Sequence, residues 1–328
     1  MIILFIHIHI LIHSNSFRWI EVGAFSPFSR DHNTLGALPQ ELYRWPDVTV
    51  AAINALTLRY RMLPHLYTLL YASSTYGRCV LCPLYMHFSS DSITWDIDAQ
   101  YMWSDSLLFT PVLTQDARVV SGYFPKGRWF NLYQPANTEN NTYVGRNIIA
   151  DDAGVYVSFD TALVDTNVHM RGGSIVPMQG FGMTLREAGL TPYNLIVALN
   201  AKQEAIGHVY IDDGVQVDRQ DYVYMSFQAN SGWMNVVREE VRGEGLKLNE
   251  VNRGIDKVKI MGINIDNSND FKRVCKAYMH INDNNKRVVA LDVQVHVDET
   301  NSLLDLEIDL SHANVYIYNE FELKWNCH

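Results

Sequence analysis

The chain has 328 residues, 48% of them hydrophobic, enough for two or three domains with buried cores. Its formal net charge is −10, from 36 acidic and 26 basic side chains. That balance excludes a nucleic-acid surface, which needs a basic patch, and it suits a neutral ligand such as a sugar.

Met1 to His13 is almost wholly apolar. It is too short for a membrane-spanning helix, which takes about 20 residues. It lacks the basic start of a secretory signal, although its length suits a signal core. Two readings of residues 1–16 stand: a truncated or mis-spliced start, and a signal peptide. His7 and His9 alternate with isoleucines, but no acid or cysteine lies nearby to complete a metal site, so no metal site is expected.

The polar cluster that ends Arg18–Asn33 is the main candidate for function. Ile20, Val22 and Ala24 alternate with Glu21 and Gly23, which predicts a short strand stopped by Pro27. Arg30 and His32 follow, two apart, so on an extended chain they share one face with Asp31 on the other. With Trp19, Phe25 and Phe28 beside them they form a candidate pocket for a polar ring. The plain alternative is a surface ion pair and a satisfied histidine.

Pro46-Asp47 opens a long predicted helix with Asp47 as N-cap. Ile53, Leu56, Tyr60, Leu63, Tyr67 and Leu70 recur at steps of three and four and are read as its core-facing stripe. Pro64 predicts a kink or break, and Gly77 a C-terminal stop. Cys79 and Cys82 have redox-type spacing, but they follow a helix and precede Pro83 in an extended run. Facing opposite sides there, they read as two buried thiols.

Beyond Gly77, short apolar runs alternate with turn signals at Val80–Phe88, Leu107–Leu113, Gly122–Phe124 and Trp129–Leu132, the pattern of a β-sandwich. Trp95, Trp103 and Trp129 are read as core-filling rather than as a sugar platform. Gln134–Thr142 is a polar loop carrying the glycosylation pattern Asn140-Asn141-Thr142. A second β-rich block starts near Arg171. Asp212-Asp213-Gly214 marks a hairpin turn there, not a calcium loop. Two alternating stretches, Val289–Asp298 and Leu304–Leu310, predict antiparallel strands with one buried face and solvated acids on the other. Asn264–Phe271 is a polar loop. No phosphate loop, zinc spacing or nucleophile elbow occurs.

Several spaced motifs resemble glycoside hydrolase family 31, the α-glucosidases, from about Phe17 to the C-terminus. They include Arg18–Asn33, Leu38–Glu41, Ala55–Arg61, Leu63–Leu69, Thr110–Leu113, Gly122–Trp129 and Asn167–Gly173. The resemblance implies a mixed fold. Residues 17–78 would be the C-terminal remnant of a (β/α)8 barrel, and 79–170 and 171–328 two antiparallel β-sandwich domains. Residues 1–16 lie outside the family pattern.

It also implies that Arg30 and His32 hold the glucose unit being released, at the C-terminal end of a barrel strand. Arg30 would keep the nucleophile ionised, and His32 would bond a sugar hydroxyl. The helix opened by Pro46-Asp47 would be the last of the barrel, with Arg59 and Arg61 as ion-paired supports that do not touch sugar. The substrate would be an α-glucoside or maltooligosaccharide, with no cofactor. The compartment would be the secretory pathway, lysosomal, extracellular or membrane-associated. A retaining glycosidase needs two carboxyl groups about 5 Å apart. In the family these aspartates lie on earlier strands, and neither motif occurs here. No catalytic residue is therefore expected in this chain, which would be inactive alone. An incomplete barrel leaves strand edges open, so segment 17–78 is expected to fold poorly. The competing reading is a non-catalytic β-sandwich scaffold or weak carbohydrate-binding module.

Overall fold

A computed structural model describes residues 13–31, 35–36, 39–132, 147–162, 165–215, 217–218, 220–243, 254–265, 275–281, 288–298 and 303–327. His7, His9, His32, the loop Gln134–Thr142 and most of Asn264–Phe271 lie outside the described residues. The chain divides into two compact units that cross sequence order. Residues up to Arg59 group with Arg78–Met170, and Tyr60–Gly77 group with Arg171–His328. The expected barrel segment 17–78 is thus shared between the units.

In the first unit the predicted strand at Ile20–Ala24 is helical. Helix α1 spans His13–Gly23. Its β-branched residues suit a strand by propensity, but packing decides. Arg18 and Glu21 meet at 3.1 Å while both are buried. Residues three apart face each other on a helix and oppose each other on a strand.

Helix α2 runs Pro46–Arg61. Asp47 lies inside its first turn rather than before it, and its carboxylate accepts from the Val48 N–H at 3.0 Å. The buried face of α2 is Val48, Ala51, Ala52, Ala55 and Leu58. The predicted stripe is displaced from it, and Ile53 is 51% exposed. Small alanines allow close packing, so the face with the smaller side chains is the one covered. Among the described residues no strand occurs between His13 and Arg78, so no open strand edge forms there.

The remainder of this unit is two-layered. Its larger sheet takes β1 (Leu81–Cys82), β2 (Tyr101–Trp103), β3 (Leu107–Phe109), β5 (Gly127–Asn131), β6 (Ile148–Ala150) and β8 (Val168–Arg171), in the order β1-β2-β3-β8-β5-β6. The smaller pairs β4 (Val119–Phe124) with β7 (Val155–Asp160). Leu84, Met102, Leu108, Phe124, Trp129 and Ile148 form a core, with Phe159 packed against it. Trp103 and Trp129 are fully buried, as expected of core tryptophans. Trp95 is not, at 61% exposed, with its indole N–H donated to the Ser89 carbonyl at 3.0 Å. Gly122 is required by close approach: a Cβ there would lie 2.7 Å from Thr110.

Cys79 and Cys82 are joined in a disulfide with Cα atoms 5.8 Å apart, rather than held as two thiols. The chain bends at Val80 and becomes a strand only at Leu81, so the opposite-face argument does not apply.

In the second unit helix α3 (Leu63–Tyr76) starts with Pro64 in its first turn, where the sequence predicts a break. It ends at Gly77 in the left-handed region at φ 68°, whose N–H bonds the Ala72 and Ser73 carbonyls. Its buried side chains include Leu66, Thr68, Tyr71 and Ala72, whereas Tyr67 and Leu70 of the predicted stripe are exposed. Thr68 Oγ1 accepts from the Tyr210 N–H at 3.0 Å, and the Tyr71 and Tyr210 rings stack at 4.0 Å.

The expected second sandwich is one sheet closed on itself. Its ten strands are β9 (Ser174–Gln179), β10 (Tyr193–Ala198), β11 (Glu204–Asp212), β12 (Tyr222–Asn230) and β13 (Trp233–Arg242), then β14 (Ile255–Asn264), β15 (Cys275–Ile281), β16 (Val288–Asp298), β17 (Leu303–Asp309) and β18 (Phe321–Cys327). They close in the order β10-β14-β17-β16-β15-β18-β13-β12-β11-β9. Two contacts, β10 with β14 and β9 with β11, are parallel. Closure removes edge strands, and Leu195, Val209, Phe227, Leu306, Phe321 and their neighbours fill the interior.

Asp212 ends β11 and Asp213 follows it: their carboxylates accept from the N–H groups of Gly214 and Val215, both at 2.9 Å, as the strand gives way to the connection to β12. The acids of β17 are not all solvated. Asp305 accepts from the Gly262 N–H at 3.0 Å, and burial raises its pKa.

Candidate functional site

The polar stretch that carries Arg30 leaves α1 in two tight turns, with Phe25 N bonded to Val22 O and Ser26 N to Gly23 O. Ala24, Phe25 and Ser26 are buried. Their backbone is gripped from two sides. From α2, the Arg59 guanidinium donates to the Ala24 and Ser26 carbonyls at 2.6 Å each and to Pro27 at 3.2 Å. From β2, the buried Trp103 indole donates to the Phe25 carbonyl at 2.7 Å. Arg59 supports this turn through its backbone carbonyls. Its planar fork presents donors in a fixed geometry that spans all three acceptors, where a lysine has a single ammonium centre.

Beyond the gripped turn, Arg30 and Asp31 are exposed. Asp31 accepts from the buried Gln40 side chain at 3.0 Å, which ties this loop to the residues ahead of α2. Phe25 packs on Phe109 and Trp103, with ring centroids 4.8 and 6.1 Å away. Trp19 and Phe28 are exposed. Of the expected pocket, then, Arg30, Trp19 and Phe28 reach solvent and Phe25 is an anchor.

A feature missed at the sequence level lies on the inner side of α1. Arg18 donates to Glu21 and also to the Ala162 and Ala117 carbonyls, at 3.2 and 2.8 Å. Burial pushes the Glu21 carboxyl up to about 8, which Arg18 opposes and Asp165 reinforces. The signal was the Arg-x-x-Glu spacing, legible only once the segment is read as a helix. Among the described residues no group of three or more His, Cys, Asp or Glu is arranged to hold a metal ion.

Residues 14–69 match the glycosyl hydrolases family 31 TIM-barrel domain, and residues 77–176 match the glycosyl hydrolase family 31 C-terminal domain. The chain belongs to glycoside hydrolase family 31. It is 37% identical to lysosomal alpha-glucosidase of Rattus norvegicus over 249 residues, which is 71% of this chain and 26% of that protein. It is 34% identical to alpha-glucosidase of Hordeum vulgare over 252 residues, 75% of this chain and 27% of that one. The chain therefore spans about a quarter of the length of these curated relatives.

Among solved structures the fold is similar to the glucosidase II alpha subunit bound to alpha3-Glc2. The TM-score is 0.81 at 22% identity, over 94% of this chain and 32% of that one. A Flavobacterium johnsoniae family 31 dextranase gives a TM-score of 0.66 at 18% identity, over 94% of this chain and 37% of that one.

Proposed function

We propose that this chain is the C-terminal part of a retaining α-glucosidase and serves the glucose-holding side of its active site. The observation that carries the reading is the 37% identity to a lysosomal alpha-glucosidase over 249 residues, a stretch long enough to take in both family domains. In that chemistry a carboxylate attacks the anomeric carbon, a second carboxyl protonates the leaving oxygen, and water completes the cycle. The two carboxyl groups are proposed to come from sequence outside this chain. Arg30 keeps the nucleophile ionised, because a nearby cation favours the charged form. His32 bonds a sugar hydroxyl. The gripped turn at Ala24–Pro27 and the tie from Gln40 to Asp31 support this, since they hold the backbone on both sides of Arg30.

In this reading residues 17–78 are the end of the catalytic barrel, and 79–170 and 171–328 are the two β domains that follow. The substrate is an α-linked glucoside. The compartment is the secretory pathway, a reading that the lysosomal relative and the two disulfides support.

The test has two arms. The purified 328-residue chain should not turn over maltose or an aryl α-glucoside; saturable turnover that survives further purification would refute the assignment of the carboxyl groups. In a longer protein that includes this chain and is active, His32→Ala should lower kcat, as expected for a bond made mainly in the transition state. Arg30→Ala should move the acidic limb of the pH–rate profile upwards. Unchanged kinetics in both variants would leave the non-catalytic β scaffold as the better reading.

A further inference from the structure

The disulfide of Cys79 and Cys82 closes a short ring around Val80 and Leu81, with Cα atoms 5.8 Å apart. Its two sulfurs sit in unlike surroundings. Cys82 is 1% exposed and belongs to β1, where it pairs with Met102 of β2. Cys79 lies ahead of the strand and is partly exposed, and the side chain before it, Arg78, is an exposed cation. A thiol arriving from solvent therefore has access to Cys79 and not to Cys82. Reactive cysteines occupy partly exposed, electropositive settings of this kind, whereas buried ones are inert.

The fold also has a place for the pair with the bond open. Cys79 Sγ lies 3.1 Å from the Leu81 carbonyl oxygen, so a Cys79 thiol has its acceptor already in position. Strand β1 has holds of its own: Leu81 pairs with Trp103, Cys82 with Met102, and the Ser104 N–H donates to the Val80 carbonyl at 2.9 Å. Opening a short ring also releases less chain entropy to the unfolded state than opening a long one. The other disulfide, Cys275–Cys327, is of the long kind, joining β15 to β18 across a separation of 52 residues.

We propose that Cys79–Cys82 is a thiol–disulfide exchange site that takes a small anionic thiol of the glutathione class, with Cys79 as the sulfur attacked. The incoming thiolate bonds to Cys79 Sγ. The bond between Cys79 and Cys82 breaks, and its electron pair leaves on Cys82 Sγ, which takes a proton from solvent. A second thiolate then attacks the small-thiol sulfur of the mixed disulfide. The disulfide of the small thiol departs, and Cys79 Sγ takes a second proton. A pair of small thiols is oxidised and one protein disulfide is reduced. The oxidised form of the same small thiol drives both steps backwards.

The test incubates the folded 328-residue chain with reduced glutathione, quenches by alkylation, and locates label and adduct on the four cysteines by peptide mass spectrometry. Hydrogen exchange at the paired strands β1 and β2 is followed in parallel. Cys79 and Cys82 should take up label together, at a rate proportional to thiol concentration, while β1 and β2 stay protected. In Cys82→Ala, glutathione disulfide should modify Cys79 at least about tenfold faster than it modifies Cys82 in Cys79→Ala, because burial shields the second thiol. Comparable rates in the two variants would overturn the proposal. So would an adduct on Cys82 in the unsubstituted chain, no label at either residue, or label that enters only as β1 and β2 lose protection. If either variant fails to fold, labelling and protection in the unsubstituted chain decide: label with protection kept upholds the site, and any other result ends it.

Discussion

Arg59→Met removes the guanidinium that grips the turn after α1 and keeps most of the side-chain length. At least three hydrogen bonds are lost, two of them at 2.6 Å, and these three go to backbone carbonyls. Bonds from a charged donor contribute about 1.5–3 kcal/mol each when well buried. Arg59 is only half-buried, so the lower end applies, and water can reach part of what is vacated. The Ala24 and Ser26 residues are buried, however, and their carbonyls have less access to water. The expected loss is about 2–4 kcal/mol, a large share of the 5–15 kcal/mol typical of a domain. Arg59→Lys should recover only part, because one ammonium replaces a fork. Urea unfolding followed by tryptophan fluorescence gives the energy, and hydrogen exchange at Ala24–Ser26 gives the location. A loss under about 1 kcal/mol, with unchanged exchange at that turn, would refute the grip as the turn's main support.

The grip has a second member: Trp103→Phe keeps an aromatic ring in a fully buried site but removes the donor to the Phe25 carbonyl. It should cost about 2–4 kcal/mol in thermal unfolding, from one unsatisfied carbonyl plus lost volume, and a near-neutral result would discount the bond. In the closed sheet, the paired change Cys275→Ser with Cys327→Ser opens a loop of 52-residue separation. Chain entropy then predicts a loss of about 4 kcal/mol under non-reducing conditions, and an unmoved urea midpoint would contradict it.

How much of this was legible in the sequence depended on the kind of signal. Breaks were read well. Pro64 separates α2 from α3 and Gly77 ends α3, because both act through backbone geometry that no neighbour can alter. Alternation at Leu304–Leu310 gave a strand with its apolar face inside. The closure of that sheet into a ring was not legible, since it depends on which distant strands pair. The parallel contact of β10 with β14 joins segments about sixty residues apart. Helix faces were misread where large apolar residues drew attention from small ones, as at Ala51, Ala52 and Ala55. The alternation at Ile20–Ala24 was equally misleading: a period of two over five residues fits one turn of a helix as well as a strand. Of the candidate site, the resemblance singled out Arg30 and His32; Arg59 and Trp103 were read as a support and a core residue, but their carbonyl partners, and the Arg18–Glu21 pair, emerged only from contacts across the first unit.

Those contacts change what the barrel-derived segment is. Read alone, residues 17–78 looked like a remnant with exposed strand edges. Yet α1 and the turn after it are held by Trp103, by the Ala117 and Ala162 carbonyls, and by Arg59, all within one compact unit. The turn's order therefore rests on the β domain as well as on the helix beside it. A substitution at Trp103 acts on Phe25, five residues before Arg30, without touching Arg30 itself. The β domain that follows the barrel is in this sense a jig for the loop proposed to hold glucose. Its mutations should then be expected among those that impair binding without altering any residue that meets the sugar.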